Sequence, residues 1–346
     1  MELDPNSWPL TALAAAFAAA AALIGVFGVV MTRAARDLAH RTGLGEALMG
    51  AVLIGGATSL SGITTSVTAA WNGHAGLAVS NGLGGIAAQT AFLAVADMFY
   101  RRANLEHAAA SVENLMMCAF LMVLLALQLV AFAVPELAVL GVHPVSIVLI
   151  GAYLFGLSLL VRTHRRPMWL PKRTTDTRPD GRVRHFRTRL GLPSLWLTFA
   201  GCAAVVAFAG WILARVAVPL AARTGLSESF VGGTLTAVAT SLPELVIAVS
   251  AVRMGALTLA VGDIVGGNAF DTLFVAISDI AYREGSIYAA LAGAELLWLA
   301  LTMLMTGVLL AGLLFRERHG VGNIGFESLL LFAIYLCGAA LVAATG

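Results

Sequence analysis

Charge is scarce in this sequence. Asp, Glu, Lys and Arg make up 12% of its 346 residues, about half the share of an ordinary soluble domain. With 59% hydrophobic residues and a mean hydropathy of +0.89, the composition excludes a soluble fold and indicates a chain embedded in lipid. The net charge of +2 is too small for a nucleic-acid binder. Cysteine is equally sparse: Cys118, Cys202 and Cys337 lie far apart in apolar runs without CxxC spacing, which excludes a disulfide framework or a zinc site and makes all three small core residues. Residues 1–10, MELDPNSWPL, have no basic residue ahead of the first apolar run, so that run is expected to remain as a first helix instead of serving as a signal peptide. No HExxH, nucleophile-elbow or phosphate-loop motif is found, so an enzyme is not expected and no cofactor is indicated.

What the sequence has in abundance is long apolar segments. Ten are long enough to cross a hydrocarbon core of about 30 Å as helices, at 10–32, 45–71, 75–99, 112–134, 139–161, 194–218, 227–253, 257–282, 286–315 and 323–345. The fold class is therefore an all-α integral membrane protein of ten transmembrane helices. Between the fifth and sixth, Arg162 to Leu190 carries ten Lys/Arg with Pro and Gly breakers and reads as a loop. Loops rich in Lys and Arg stay cytoplasmic. Placing both termini outside puts eighteen basic residues on the cytoplasmic side and only Arg215, Arg223 and Arg283 opposite. The expected location is a bacterial-type inner (plasma) membrane, with the bilayer as the surrounding partner.

The chain also repeats itself. Shifted by 182 residues without a gap, RTGLGEALMGAVLIGGATSLSG (Arg41 to Gly62) overlies RTGLSESFVGGTLTAVATSLPE (Arg223 to Glu244), and 24 of the 58 positions from Arg41 to Met98 are identical to their partners. A unit of five helices is odd in number, so its second copy must enter the membrane the other way up. The division is 1–161 for the first five-helix repeat, with its most similar segment at 41–98; 162–192 for the basic loop; and 193–346 for the second repeat, with the matching segment at 223–280.

The repeated segments hold features that a packed apolar helix does not need. Thr58-Ser59 and Thr240-Ser241 fall mid-helix, and Pro243 removes a backbone hydrogen bond two residues on, so a break there frees carbonyls. Gly84-Gly85 and Gly266-Gly267 permit close approach or local unwinding in the next helices. Interrupted helices at a repeat interface are the architecture of ion sites in secondary transporters. Glu244 and Asp271 carry most of the chemical weight, because a carboxylate near the bilayer centre needs a cation, a proton or hydrogen-bonding partners. Carboxylates supplemented by hydroxyl, amide and carbonyl oxygens suit a hard cation such as Ca²⁺. Mutual stabilisation with a proton, or with Asn268 and Gln89, is the structural alternative. Asp263 and its counterpart Asn81 lie at the edge of this region, Glu113 and Glu295 suit structural hydrogen bonds, and Asp97 and Asp279 read as solvated helix caps.

TSLPEL (Thr240 to Leu245) followed by GDIVGGNAFD (Gly262 to Asp271) resembles the second alpha repeat of the calcium/cation antiporter superfamily, which includes the Na⁺/Ca²⁺ exchangers. The resemblance implies two inverted five-helix halves. It implies Glu244 and Asp271 as acidic ligands of the transported cation, completed by Thr240, Ser241, Asn268 and the carbonyls around Gly267, with Thr58, Ser59 and Gln89 as the first-repeat contribution. The chain departs from the family where a first-repeat Pro-Glu is usual, having Ser61 and Gly62, and has Ile86 for an Asn, Gln89 where an Asn or acid is common, and Gly267 for a Ser. The implied function is secondary active antiport by alternating access, with Ca²⁺ as the leading substrate and H⁺ or Na⁺ as counter-ion. Another cation, or an ion-binding sensor or scaffold that does not transport, stays open, and the sequence gives no oligomeric state.

Overall fold

In lipid every backbone N–H and C=O has to be satisfied within its own segment, so apolar runs of this length fold as helices. The computed structural model describes residues 5–42, 55–100, 103–165, 167–172, 174, 177, 190–318, 320 and 325–345, and among these the architecture is all-helical. The long helices are α1 (Leu10–Thr42), α2 (Leu60–Trp71), α3 (Ala75–Asp97), α4 (Val112–Ala133), α5 (Pro144–Arg165), α6 (Leu192–Thr224), α7 (Glu228–Thr240), α8 (Leu242–Arg253), α9 (Leu257–Ala281), α10 (Gly293–Phe315) and α11 (Phe326–Thr345). Eight of them are individually long and apolar enough to cross a membrane, and α7 with α8 passes the same test as a pair bent by 48°. The first part of the expected 45–71 helix, 45–54, lies outside the described residues.

α1 and α6 are longer than expected. At 33 residues each they extend about 50 Å, more than a hydrocarbon core requires, so they tilt or project. They pack along each other, with Leu13, Ile24 and Met31 of α1 buried among Cys202, Val206, Leu213 and Val216 of α6, and Leu38 against Leu195. α6 ends at Gly225, whose φ of +72° supplies the left-handed cap.

The rest of the helices share one continuous core built around α3 and α9. Nearly every residue of α3 is buried, the pattern of a helix enclosed on all sides. Outward-facing apolar side chains on the surrounding helices, such as Leu129, Phe155, Leu304 and Leu336, are exposed as a lipid-facing surface requires.

Several expectations need correction. Arg33 and Arg36 belong to α1 and not to a loop. Gly84-Gly85 and Gly266-Gly267 lie in unbroken helices, so no unwinding frees carbonyls around Gly267. At Gly84 the glycine instead permits close approach, since a Cβ would collide with the Gly233 backbone. Cys337 is exposed and is no core residue. Asp97 and Asp279 are fully buried and not solvated, because their carboxylates serve as acceptors for backbone N–H groups of the connectors that follow them.

Candidate functional site

Two helix breaks, one in each half, face the middle of the molecule. Ser241, at φ −96° and ψ 7°, separates α7 from α8. Pro243 then sits in the first turn of α8, where its missing N–H has no partner to lose. At the corresponding place in the first half, Ser59 interrupts the chain between a helical turn at 55–58 and α2, with φ −85° and ψ 0°. The repeat thus breaks at equivalent serines although only the second copy has the proline. Ser61, the counterpart of Pro243, instead donates its hydroxyl to the Thr240 carbonyl at 3.0 Å and satisfies an oxygen at the opposite break.

Asp271 stands in α9 beside both breaks. Its Oδ1 accepts a hydrogen bond from Ser59 Oγ at 2.5 Å, and its Oδ2 accepts one from Gln89 Nε2 at 2.6 Å. A carboxylate offers only acceptors, so Gln89 must turn its amide nitrogen toward Asp271. The same nitrogen also donates to Ser241 Oγ at 3.2 Å. Gln89 and Asp271 are themselves 182 residues apart, so Ser59 with Asp271 and Ser241 with Gln89 are the same contact made once in each orientation of the repeat.

Three buried oxygens at this centre have no hydrogen-bond partner: Glu244 Oε2, Gln89 Oε1 and Asn268 Oδ1. Asn268 Nδ2 is engaged by Thr90 Oγ1 at 2.9 Å, which orients its amide. Gly267 lies beside this group, a Cβ there standing 3.5 Å from Gln89 Oε1, an ordinary contact distance. Glu244, in the first turn of α8, is 6% exposed. Thr58 and Thr240 turn their hydroxyls back onto the carbonyls of Gly55 and Ala237, three residues earlier.

A cavity of about 250 Å³ leads to this group, lined by Thr58, Glu244 and Gly267 at its inner end and by Arg36 and Asp263 at its outer end. Asp263 lies eight residues before Asp271, about 12 Å along α9, and its carboxylate is paired with the guanidinium of Arg36 on α1. Both side chains are partly exposed, which marks them as the cavity's mouth. Its counterpart Asn81 does something different, donating to Gly62 O and Ser66 Oγ inside the first half. Tyr153 lines the cavity wall and meets Phe270 edge-to-face at 5.7 Å. Sequence reasoning missed Arg36 and Tyr153 as site residues; the only available signal for Arg36 was a cation at helical spacing beyond the first apolar run.

The geometry therefore brings together Glu244, Asp271, Ser59, Ser241, Gln89, Asn268 and Gly267, with Thr58 on the cavity wall and Thr240 at the break. Among the described residues no group of three or more His, Cys, Asp or Glu is arranged to hold a metal. The centre offers two carboxylates supplemented by neutral oxygens, a hard-donor set. Glu295 has a structural part elsewhere: it accepts from Ala292 N at 3.0 Å and from Ser229 Oγ, closing the start of α10. At Gly62, where the superfamily has a carboxylate, a Cβ would run into the ring of Phe274.

The family described as "Sodium/calcium exchanger protein" matches residues 12–162 and again 194–344. The chain is 26% identical over 302 residues to the putative antiporter CaxA of Alkalimonas amylolytica, covering 83% of this chain and 84% of that protein. Its fold resembles that of the H⁺/Ca²⁺ exchanger CAX, with a TM-score of 0.70 at 12% identity over 96% of this chain and 85% of the other. It also resembles the sodium-calcium exchanger NCX_Mj, with a TM-score of 0.58 at 16% identity over 96% and 99% of the two chains. With both halves of a multi-pass membrane chain matched in turn, the protein belongs to the sodium/calcium exchanger family of the calcium/cation antiporter superfamily.

Proposed function

We propose that this chain is a secondary antiporter that binds Ca²⁺ between Glu244 and Asp271 and exchanges it for protons. The observation that carries the proposal is the set of unpartnered oxygens, Glu244 Oε2, Gln89 Oε1 and Asn268 Oδ1, grouped around Asp271. A buried oxygen without a donor is costly, and a divalent cation satisfies several at once. Ser59 and Ser241 hold the Asp271–Gln89 pair in place from the two helix breaks. Two carboxylates carry either one Ca²⁺ or two protons at equal total charge, so one species displaces the other from the same oxygens. That competition couples the two fluxes, since each ion shifts the equilibrium only through its differential binding.

The proposal includes ten crossings in two inverted halves, both termini extracytoplasmic, in a bacterial-type inner membrane. In this orientation the cavity past Arg36 and Asp263 opens toward the cytoplasm. A cysteine introduced in the Arg162 to Leu190 loop should then react only from the cytoplasmic side, and the opposite labelling would reverse the orientation. The functional test is ion-resolved flux in proteoliposomes with Na⁺ and H⁺ gradients imposed separately. Ca²⁺ movement driven by the proton gradient without sodium is expected. Flux strictly dependent on sodium would refute proton coupling, and Ca²⁺ binding without flux would make the chain a sensor or scaffold.

A further inference from the structure

Away from the central site, three carboxylates meet where the end of α3, the short helix Leu105–Ala109 and the start of α11 come together. Asp97, Glu106 and Glu327 are each 0% exposed. Asp97 is fully occupied as a backbone acceptor, taking Leu105 N at 2.8 Å on Oδ1 and Gly325 N at 3.2 Å on Oδ2. Glu106 has one weak donor, Ser328 Oγ at 3.3 Å. Its Oε2 has no partner, and neither oxygen of Glu327 has one. The Glu327 side chain is pressed against α10, where a Cβ on Gly312 would stand 2.7 Å from its Cγ.

The repeat supplies an internal control. In the other half Asp279 accepts from Ile287 N at 2.8 Å on Oδ1 and from His143 N and Ser146 Oγ, each at 2.7 Å, on Oδ2. Residues 279, 287 and 143 correspond to 97, 105 and 325 at the 182-residue offset, so the backbone part of the capping scaffold is the same twice over, whereas Ser328, the counterpart of Ser146, turns its hydroxyl to Glu106. At that offset Glu106 corresponds to Tyr288 and Glu327 to Val145. The scaffold is therefore built without these two acids in one half, and their presence in the other needs a separate reason.

Among the described residues, the charged groups acting on the two glutamates are Asp97, Glu317 and each other, all acidic. The nearby Arg316 directs its guanidinium to Lys172 O, His107 O and Thr177 Oγ1, and the His107 ring is held between Arg316 O and Thr174 Oγ1. On α9, Asp263 is taken by Arg36. Burial, followed by the charges of Asp97 and Glu327, pushes the Glu106 carboxyl well above the usual carboxylate range.

We propose that Glu106 and Glu327 form a carboxyl–carboxylate pair that binds and shares one proton, a site distinct from the Glu244–Asp271 centre that clasps the α3–α4 connector to the start of α11. The proton gives the pair the donor it lacks, in a short charge-assisted hydrogen bond. Loss of that proton leaves two adjacent buried anions beside Asp97. The native state holds the proton more tightly than the unfolded chain, so the clasp is fully present below the ordinary Glu range and is lost as pH rises through the folded-state value.

The test uses the full chain purified in detergent. Infrared difference spectra across an alkaline titration should show, apart from any signal of Glu244 and Asp271, a protonated-carboxyl band that is missing in Glu106→Gln and in Glu327→Gln. Thermal melting should report a folding equilibrium that falls by up to tenfold per pH unit while the proton is being lost. A double variant, Glu106→Tyr with Glu327→Val, copies the other half of the molecule and should fold, melting with that alkaline fall removed. An infrared band unchanged in both single variants, or an alkaline fall retained in the double variant, would overturn the proposal. So would stabilisation by added Ca²⁺ that the double variant loses, which would make the site a metal site.

Discussion

Gly62 gives the sharpest test of how the centre is packed. The Phe274 ring lies over it, with Cζ 2.8 Å from where a Cβ would stand. Gly82 also packs against this side chain, a Cβ there standing 3.2 Å from Phe274 Cβ. Phe274 is thus packed over two glycines. Gly62→Ala should overpack the niche and destabilise by about 1–3 kcal/mol, while Phe274→Ala should empty it at about 3–5 kcal/mol. Combining Gly62→Leu with Phe274→Ala refills the volume from the opposite wall. Its loss should fall short of the sum for Gly62→Leu alone and Phe274→Ala alone by about 0.5–3 kcal/mol, the range expected of residues in contact. Gly62→Glu with Phe274→Ala goes further and supplies the first-repeat carboxylate. Without a cation this variant should be less stable than the leucine version, because an unpaired buried charge is added. Saturating Ca²⁺ should recover about 2.7 kcal/mol at a hundredfold excess over its Kd. Melting in detergent across a Ca²⁺ series measures all four quantities. Gly62→Ala melting with the wild type, or strict additivity in the leucine pair, would refute the packing argument.

Glu244→Gln and Asp271→Asn should each abolish Ca²⁺ flux with expression retained, since the amides keep shape and remove countercharge; near-normal flux in both would put the site elsewhere. Arg36→Gln should leave Asp263 unpaired at the cavity mouth and lower the apparent KM for Ca²⁺ at low salt, an effect that high salt erases. An unchanged KM at low salt would exclude a role for the pair in cation approach. His74 Nδ1 donates to Glu228 Oε1 at 2.9 Å, and that hydrogen bond holds the imidazole above its usual range against the opposing effect of burial. With both side chains about a third exposed, the pair contributes no more than about 1 kcal/mol. That contribution is complete below the ordinary His range and disappears as pH rises through the folded-state value, so His74→Asn should flatten the melting profile there, and a profile identical to wild type would rule the pair out.

The sequence makes the helical class and the repeat legible because both are recorded in composition and in identities at a fixed offset. The break at Ser241 is legible through Pro243, whereas the break at Ser59 is visible only by transfer across the repeat, since no proline follows it. The Arg36–Asp263 pair is not legible: it joins helices 227 residues apart with no motif on either side. Asp97 and Asp279 mislead for a physical reason. An aspartate at a helix end is ordinarily a solvated group, and only the returning connector reveals that its lone pairs are taken by Leu105 N and Ile287 N. Continuing the 182-residue comparison past Met98 would have linked those two acceptors and their donors. Of the close approach or local unwinding that the Gly266-Gly267 pair allows, α9 shows no unwinding, because its helix is continuous through both glycines.

The two halves of the centre agree in geometry and differ in charge. Serines at both breaks make the same contact, to Asp271 from one side and to Gln89 from the other. At the two positions where an acid would complete the symmetry, the first half has Gly62 and Gln89 while the second has Glu244 and Asp271. Each replacement also leaves a distinct trace: Phe274 occupies the space over Gly62, and the Gln89 amide supplies Asp271 with a donor that a second carboxylate could not give. A fully acidic centre would need more cations or protons to be stable in a low-dielectric surround. If Glu244 and Asp271 bind the exchanged ions as proposed, an amide and a ring take over part of that task, and these two carboxylates set the number of exchangeable charges. Restoring an acid at position 62 or 89 should therefore raise the number of cations or protons bound per turnover, and a variant that transports with unchanged stoichiometry would show that the first half does not set the count.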